Sequence, residues 1–336
     1  MLAVQLEMQR RHLRTERVPT LAEYLEYWLY QSVKPRVRPL TFAGYSVNVR
    51  KHLVPALGKI RLDRLTPQHV QGMINARLEA GFSPKTVAYA HQVLRTALEL
   101  AKRWDLIDRN VASMVDPPRR ERPKIHPMDP NQARAFLDSI RGHRLEALFS
   151  VALSMGLRQG ESLGLRWTDV DLPAGSLTVR NQLQRIDGRL TLVEPKTERS
   201  HRTIAIPRSV IDSLRDHEAR QLAEKLWAGS KWVDSGLVFT NRSGGPLQAR
   251  RVIEEFHKAL GAAGMERIRF HDLRHSCATL LLVQGVSPRV VMEILGHSEI
   301  AMTMDTYSHV VPELQREAAN KMDGLLSRPS TVGRER

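Results

Sequence analysis

Residues 176–206 read SLTVRNQLQRIDGRLTLVEPKTERSHRTIAI, and this is where the chain changes its period. Apolar residues alternate at Leu177 and Val179, again at Leu190 and Leu192, and again at Ile204 and Ile206. A spacing of two places side chains on one face of a strand. Asp187-Gly188 sits between two such runs, and both residues tolerate the positive φ of a two-residue hairpin turn. The segment therefore predicts a small antiparallel sheet. On both sides the spacing returns to that of helices. Upstream, Asp129 and Pro130 open one helix, and Leu145, Leu148, Phe149, Val151 and Leu153 mark another that stops at Met155-Gly156. Downstream, helical spacing runs from Arg208 to about Leu226, Leu247 to Ala263, His271 to Val283 and Pro288 to Leu295, with a short stretch from Met302 to Tyr307. The second part of the chain is thus mostly α with a β insert.

The first part is helical throughout. Thr20 followed by Glu23 makes a capping box before Leu21, Leu25, Trp28 and Leu29. Thr41 is expected to cap a second segment carrying Phe42, Tyr45 and Val49 and ending near Pro55 and Gly58. Thr66-Pro67 opens a third and Gly81 stops it; Ser83-Pro84 opens a fourth, longer one. Between Asp116 and Lys124, three prolines and a run of charges break every pattern, as a linker does. The expected organisation is an N-terminal helix or linker remnant over residues 1–17, a four-helix domain over 18–117, a linker over 118–127, a second domain over 128–326 and a frayed tail over 327–336.

Charge narrows the partner. The 336 residues hold 51 Lys and Arg against 36 Asp and Glu, a formal net charge of +15. Both parts share the excess, and neither concentrates it in one amphipathic stripe that would favour an acidic membrane surface. A polyanion such as nucleic acid is the expected partner. With 42% hydrophobic residues the chain can build a core, which argues against a disordered protein. Its single cysteine excludes a disulfide scaffold and fits a reducing compartment. No run approaches the roughly 18 apolar residues of a spanning helix, and residues 1–17 lack a signal-peptide core. The expected location is cytoplasmic and nucleoid-associated, with no membrane partner.

Five segments of the second part carry chemistry: Gly156-Leu157-Arg158-Gln159-Gly160-Glu161, Pro195-Lys196-Thr197, His271-Asp272-Leu273-Arg274-His275, Leu295-Gly296-His297 and Asp305-Thr306-Tyr307-Ser308-His309. Each alone has an ordinary reading as surface or core. His271 and His275, four apart, suggest a metal pair, but no glutamate lies between them and no third ligand is evident. Neither a phosphate-loop lysine motif nor a two-metal carboxylate cluster occurs, so no metal and no cofactor is expected.

In this order the five segments resemble the tyrosine recombinase (phage integrase) family, with nine residues between His297 and Tyr307. The resemblance spans about residues 20–315, since the four-helix part is similar to the family's SAM-like core-binding domain. It implies a C-terminal catalytic domain that cleaves and rejoins DNA through a 3′-phosphotyrosyl link. The implied catalytic residues are Arg158, Lys196, His271, Arg274, His297 and Tyr307. Arginine suits the phosphate oxygens because its planar fork stays charged at any relevant pH. By resemblance Tyr307 is the nucleophile, Lys196 the general acid, His271 a general base or phosphate contact, and His297 a further phosphate donor. Glu161 is expected to orient Arg158 or its helix, and His275 to support the site structurally.

The resemblance implies a homotetramer on double-stranded DNA attachment sites, with an accessory DNA-bending or directionality factor possible. Apolar residues after Tyr307 (Leu314, Ala318, Met322 and Leu325) have the spacing of a tail helix that packs on a neighbouring subunit. The long hairpin favours a mobile-element integrase. A Xer-type resolvase of chromosome or plasmid dimers is the alternative, and a catalytically inactive DNA-binding protein a further one. Only about 17 residues precede Thr20, so an arm-binding domain is either lacking or truncated.

Overall fold

A computed structural model describes residues 18–119, 125–195 and 200–296, together with Ala319 and Met322. The expected helix near Met302 to Tyr307 lies outside these residues, as does the tail helix apart from the helical Met322. The chain divides into two compact units, Met1–Pro123 and Lys124–Arg336, separating within the proline-rich segment.

The first unit holds α1 (Leu21–Trp28), α2 (Pro39–Asn48), the single turn α3 (Val54–Leu57), α4 (Pro67–Glu79) and α5 (Pro84–Arg103). The Thr20 capping box forms as expected: Glu23 accepts from the Thr20 amide at 2.7 Å, and Thr20 Oγ1 accepts from the Glu23 amide at 3.3 Å. Thr66 and Ser83 cap α4 and α5, each followed by proline at the first helical position. Thr41 does not cap α2. Pro39 opens that helix two residues earlier, with Arg38 at the cap, because its fixed φ and missing N–H suit the first helical position. Both α1 and α2 continue without a break into π-helical turns, Leu29–Val33 and Val49–Leu53. The second helical segment therefore runs through Pro55 to Leu57. Leu21, Leu25, Leu29, Leu53 and Leu94 are fully buried at its centre, and Tyr24 donates its hydroxyl to the Ala97 carbonyl at 2.6 Å.

The second unit holds α6 (Pro130–Ser139), α7 (Glu146–Met155), α8 (Gln159–Leu163), α9 (Arg208–Ala228), α10 (Ala249–Ala262), α11 (Asp272–Val283) and α12 (Pro288–Leu295). Apolar residues cover α7 on nearly every side, and it lies in the core, where its Phe149 packs against Phe136 and Phe256. Asp129 caps α6 as expected, and just before it the Met128 amide donates to Ser276 Oγ on α11 at 2.8 Å.

The β segment differs from a single sheet. Strands β1 (Val170–Asp171), β2 (Ser176–Val179) and β5 (Arg202–Ala205) form a three-stranded antiparallel sheet in the order β1-β2-β5. Strands β3 (Gln182–Ile186) and β4 (Arg189–Val193) form a separate two-stranded ribbon. Asp187 and Gly188 turn the ribbon with φ of 48° and 80°, the paired positive values of a type I′ hairpin. The ribbon is held against α8 by two glycines. A Cβ at Gly164 would stand 2.8 Å from Gln182 Cα, and one at Gly160 would stand 3.1 Å from the Leu183 carbonyl oxygen.

Candidate active site

Two helices of the second unit end alike. α7 stops at Gly156 with φ of 62°, and α12 stops at Gly296 with φ of 66°. Glycine accepts this left-handed conformation without the clash a Cβ brings. The two ends also touch, since a Cβ on Gly156 would stand 2.5 Å from Leu295 Cδ2. Each end leaves backbone carbonyls without intrahelical partners and with partial negative charge.

Arginines occupy those carbonyls. Arg274, on α11 and 2% exposed, donates Nη1 to the Gly156 carbonyl at 2.7 Å and Nη2 to the Leu295 carbonyl at 2.5 Å. Arg202, on β5, donates Nε to the Ile294 carbonyl at 2.6 Å. Arg158, between α7 and α8, brings Nη2 to 3.5 Å from the Gly296 carbonyl. Three guanidinium groups from three elements thus meet three successive carbonyls at the end of α12.

Glu161 ties two of them together. Its Oε1 accepts from Arg158 Nη1 at 2.6 Å, while Oε2 accepts from Arg202 Nη2 at 2.9 Å and from the Arg158 amide at 3.1 Å. Burial would raise the pKa of this carboxyl, but the Arg202 and Arg158 charges outweigh it and hold it below the usual carboxylate range. Glu161 thus touches Arg158, the residue it was expected to orient, at both amide and guanidinium. The participation of Arg202 was not read from the sequence. A signal existed: the strand period puts Arg202 on the inward face with Ile204, and a charge on a buried strand face is unusual.

His271 stands at the N-terminus of α11, exposed, three residues before Arg274. Desolvation and then the Arg274 and Arg158 charges hold its imidazole below the ordinary histidine value. The His275 ring meets it edge-on, with centroids 5.0 Å apart. Desolvation, reinforced by His271, pushes His275 down to about 4. Asp272, buried in the first turn of α11, accepts from the Arg269 guanidinium at 2.6 Å and from the Arg269 amide at 2.8 Å. This pair fixes the start of the helix that carries His271 and Arg274, and it too was missed. Cys277 is packed against Gly156, and burial pushes its thiol up to about 12. It is not a nucleophile in this state.

The structure therefore brings together Arg158, Glu161, His271, Arg274 and His275. Lys196, His297 and Tyr307 lie outside the described residues. Among the described residues no group of three His, Cys, Asp or Glu side chains is placed to hold a metal ion, and no helix is long and apolar enough to cross a membrane.

Residues 127–313 match the model of the phage integrase family, more than half of the chain, and residues 20–77 match the N-terminal SAM-like domain of phage integrases. The chain belongs to the phage integrase family. It is accordingly a tyrosine recombinase, an enzyme that transfers DNA strands. A protein of Caldanaerobacter subterraneus named "Tyrosine recombinase XerC-like" is 31% identical over 325 residues, covering 91% of this chain and 83% of the relative. An "Integrase" of Saccharopolyspora erythraea is 28% identical, covering 90% and 82%. Among solved structures, the Tn1549 transposon integrase in complex with a circular intermediate DNA matches with a TM-score of 0.73 at 23% identity, covering 90% of this chain and 99% of that one. A lambda integrase tetramer bound to a Holliday junction matches with a TM-score of 0.64 at 18% identity, covering 88% and 79%. These two establish a shared fold: a SAM-like helical domain followed by a mostly helical catalytic domain with small antiparallel sheets.

Proposed function

We propose that this recombinase integrates or excises a mobile element, cleaving DNA at its attachment sites through a 3′-phosphotyrosyl link from Tyr307. The observation that carries this reading is the convergence of Arg158 and Arg274 on the residue pair Leu295-Gly296, directly before His297 in the sequence. Arg158 and Arg274 would bind the non-bridging oxygens of the scissile phosphate and stabilise charge that grows in the transition state. His271, kept neutral by its surroundings, can accept a proton from the Tyr307 hydroxyl as its oxygen attacks phosphorus. The bond to the 5′ oxygen breaks, and Lys196 protonates that leaving group. His297 adds a phosphate donor. Reversal of these steps with a new 5′ hydroxyl rejoins the strand, so the bond energy stays in the phosphotyrosine and no external energy source enters.

Strand exchange between two duplexes calls for four protomers, so the working assembly is a homotetramer on double-stranded DNA, in the cytoplasm at the nucleoid. An accessory bending or directionality factor belongs to the same reading. The relatives named integrase, including the ICEBs1 integrase of Bacillus subtilis at 26% identity, support the mobile-element role. Dimer resolution is the second reading, favoured by the XerC-like relative.

A nicked suicide duplex carrying the sequence that flanks the gene tests both chemistry and target. The wild type should form a covalent protein–DNA adduct that Tyr307→Phe abolishes. Tight binding without an adduct would leave an inactive DNA-binding protein. Adduct formation on a chromosomal dimer-resolution site, and not on the flanking sequence, would favour the second reading.

A further inference from the structure

Arg202 is almost fully enclosed. Its side chain is 6% exposed and that of Glu161 3%, whereas that of Arg158 is 37% exposed. A phosphate arriving from solvent can meet Arg158, whereas the Arg202 guanidinium is turned onto Ile294, Ser200 and Glu161. A buried guanidinium is costly unless its donors are spent, and here all three nitrogens are engaged: Nε on the Ile294 carbonyl, Nη1 on the Ser200 carbonyl at 3.2 Å and Nη2 on Glu161. These partners connect β5, α8 and the end of α12.

We propose that Arg202 is a positioning residue that presets the phosphate-binding charge of Arg158 through Glu161; this rests on the recombinase reading above. The reason lies in how the carboxylate is shared. A lone Glu161 beside Arg158 could turn both oxygens onto one guanidinium, in the bidentate pairing that arginine and carboxylate favour. That pairing would cancel the charge a phosphate needs. Arg202 takes Oε2 instead, leaving Oε1 for Arg158 Nη1. Two cations then share one anion, and the cluster keeps a net positive charge before DNA arrives. Through the Ile294 carbonyl the same side chain holds the helix end on which Arg158 and Arg274 converge, so the two phosphate-binding groups are set relative to each other.

The test compares single-turnover cleavage of two suicide duplexes. One carries the normal scissile phosphate, and the other a methylphosphonate, in which a methyl group replaces one charged oxygen and reduces the need for cations. Arg202→Ala should cleave the normal duplex about 10²-fold more slowly at saturating DNA, the scale of a misplaced reacting group, while its Kd for DNA stays within about twofold. On the methylphosphonate that deficit should shrink about tenfold, as it should for Arg158→Ala. Arg202→Lys should fall between, since an ammonium can hold Glu161 but lacks the fork that also reaches Ile294. If Arg202→Ala fails to fold, Arg202→Lys is read by the same ratio. Wild-type cleavage by either variant overturns the proposal. So does a deficit of equal size on both duplexes, which a general structural role would give. Wild-type cleavage by Arg158→Ala is a separate failure, that of the site itself.

Discussion

The two units bury different things. In the first, the described buried polar residues are Ser32, Ser46, Asn48, His52, His91 and Asn110, without one aspartate, glutamate, lysine or arginine. In the second, Glu161, Asp169, Asp272 and Arg274 are all buried, and Arg202 nearly so. A charge in the interior costs stability unless it is paired and hydrogen-bonded. The first unit is therefore an apolar scaffold whose residues answer to packing. The second carries buried charge, and Arg274 and Arg202, the latter paired with Glu161, bring theirs to the ends of α7 and α12.

The contrast is broken most severely at Arg274. Arg274→Ala should slow strand cleavage by about 10³-fold, the upper range for losing one donor to a transition-state oxyanion, as measured by adduct formation on a suicide duplex. The same change strips donors from the Gly156 and Leu295 carbonyls, so its thermal midpoint should fall as well. The opposite kind of change lies in the first unit. Leu94→Ala, at a fully buried position, should cost about 3 kcal/mol in chemical denaturation. At temperatures where the variant is folded, its cleavage rate on saturating DNA should match the wild type.

A smaller effect in the second unit is read by pH. Folded His275 resists protonation, whereas the unfolded chain takes up a proton near its ordinary value of 6.5. Its contribution to stability is intact above about pH 6.5 and is lost as pH falls from there towards about 4. Partial exposure to water limits the loss to about 2 kcal/mol. His275→Asn should flatten the stability curve across that window, with unfolding followed by a probe in the second unit. The smallest effect is Thr20→Ala, which removes one side of a capping box and should cost about 1 kcal/mol with no change in cleavage at saturating DNA.

Four of the helices were legible because their starts use side chains. Thr20, Thr66, Ser83 and Asp129 announce themselves by residue type, and the structure has each of them capping. Thr41 misled because a proline two residues earlier offered a better start. The π-helical turns at Leu29–Val33 and Val49–Leu53 left no mark, since one extra residue in a turn does not alter composition. In the candidate site, Arg158, Glu161, His271 and Arg274 were singled out through their order and local context. Arg202 was not, because two of the groups it serves are backbone carbonyls, identical in every residue and invisible in a string of side chains, and the third, Glu161, is 41 residues away in the chain. The division of the β segment into a sheet and a separate ribbon was hidden for a similar reason: alternation states which face a residue takes, not which strand it joins.

The glycine seat beneath the ribbon has its own consequence for variation within the fold. Gly160 and Gly164 let β3 lie directly on α8, backbone against backbone, so the first strand of the ribbon and the helix following Arg158 form one joint. At the other end, a side chain added at Gly188 would meet no atom within 4 Å. The ribbon is a cantilever, clamped at its root and open at its tip. Changes of length or composition at the tip are carried away from the site, whereas a single methyl group at the root would lift the strand off the helix.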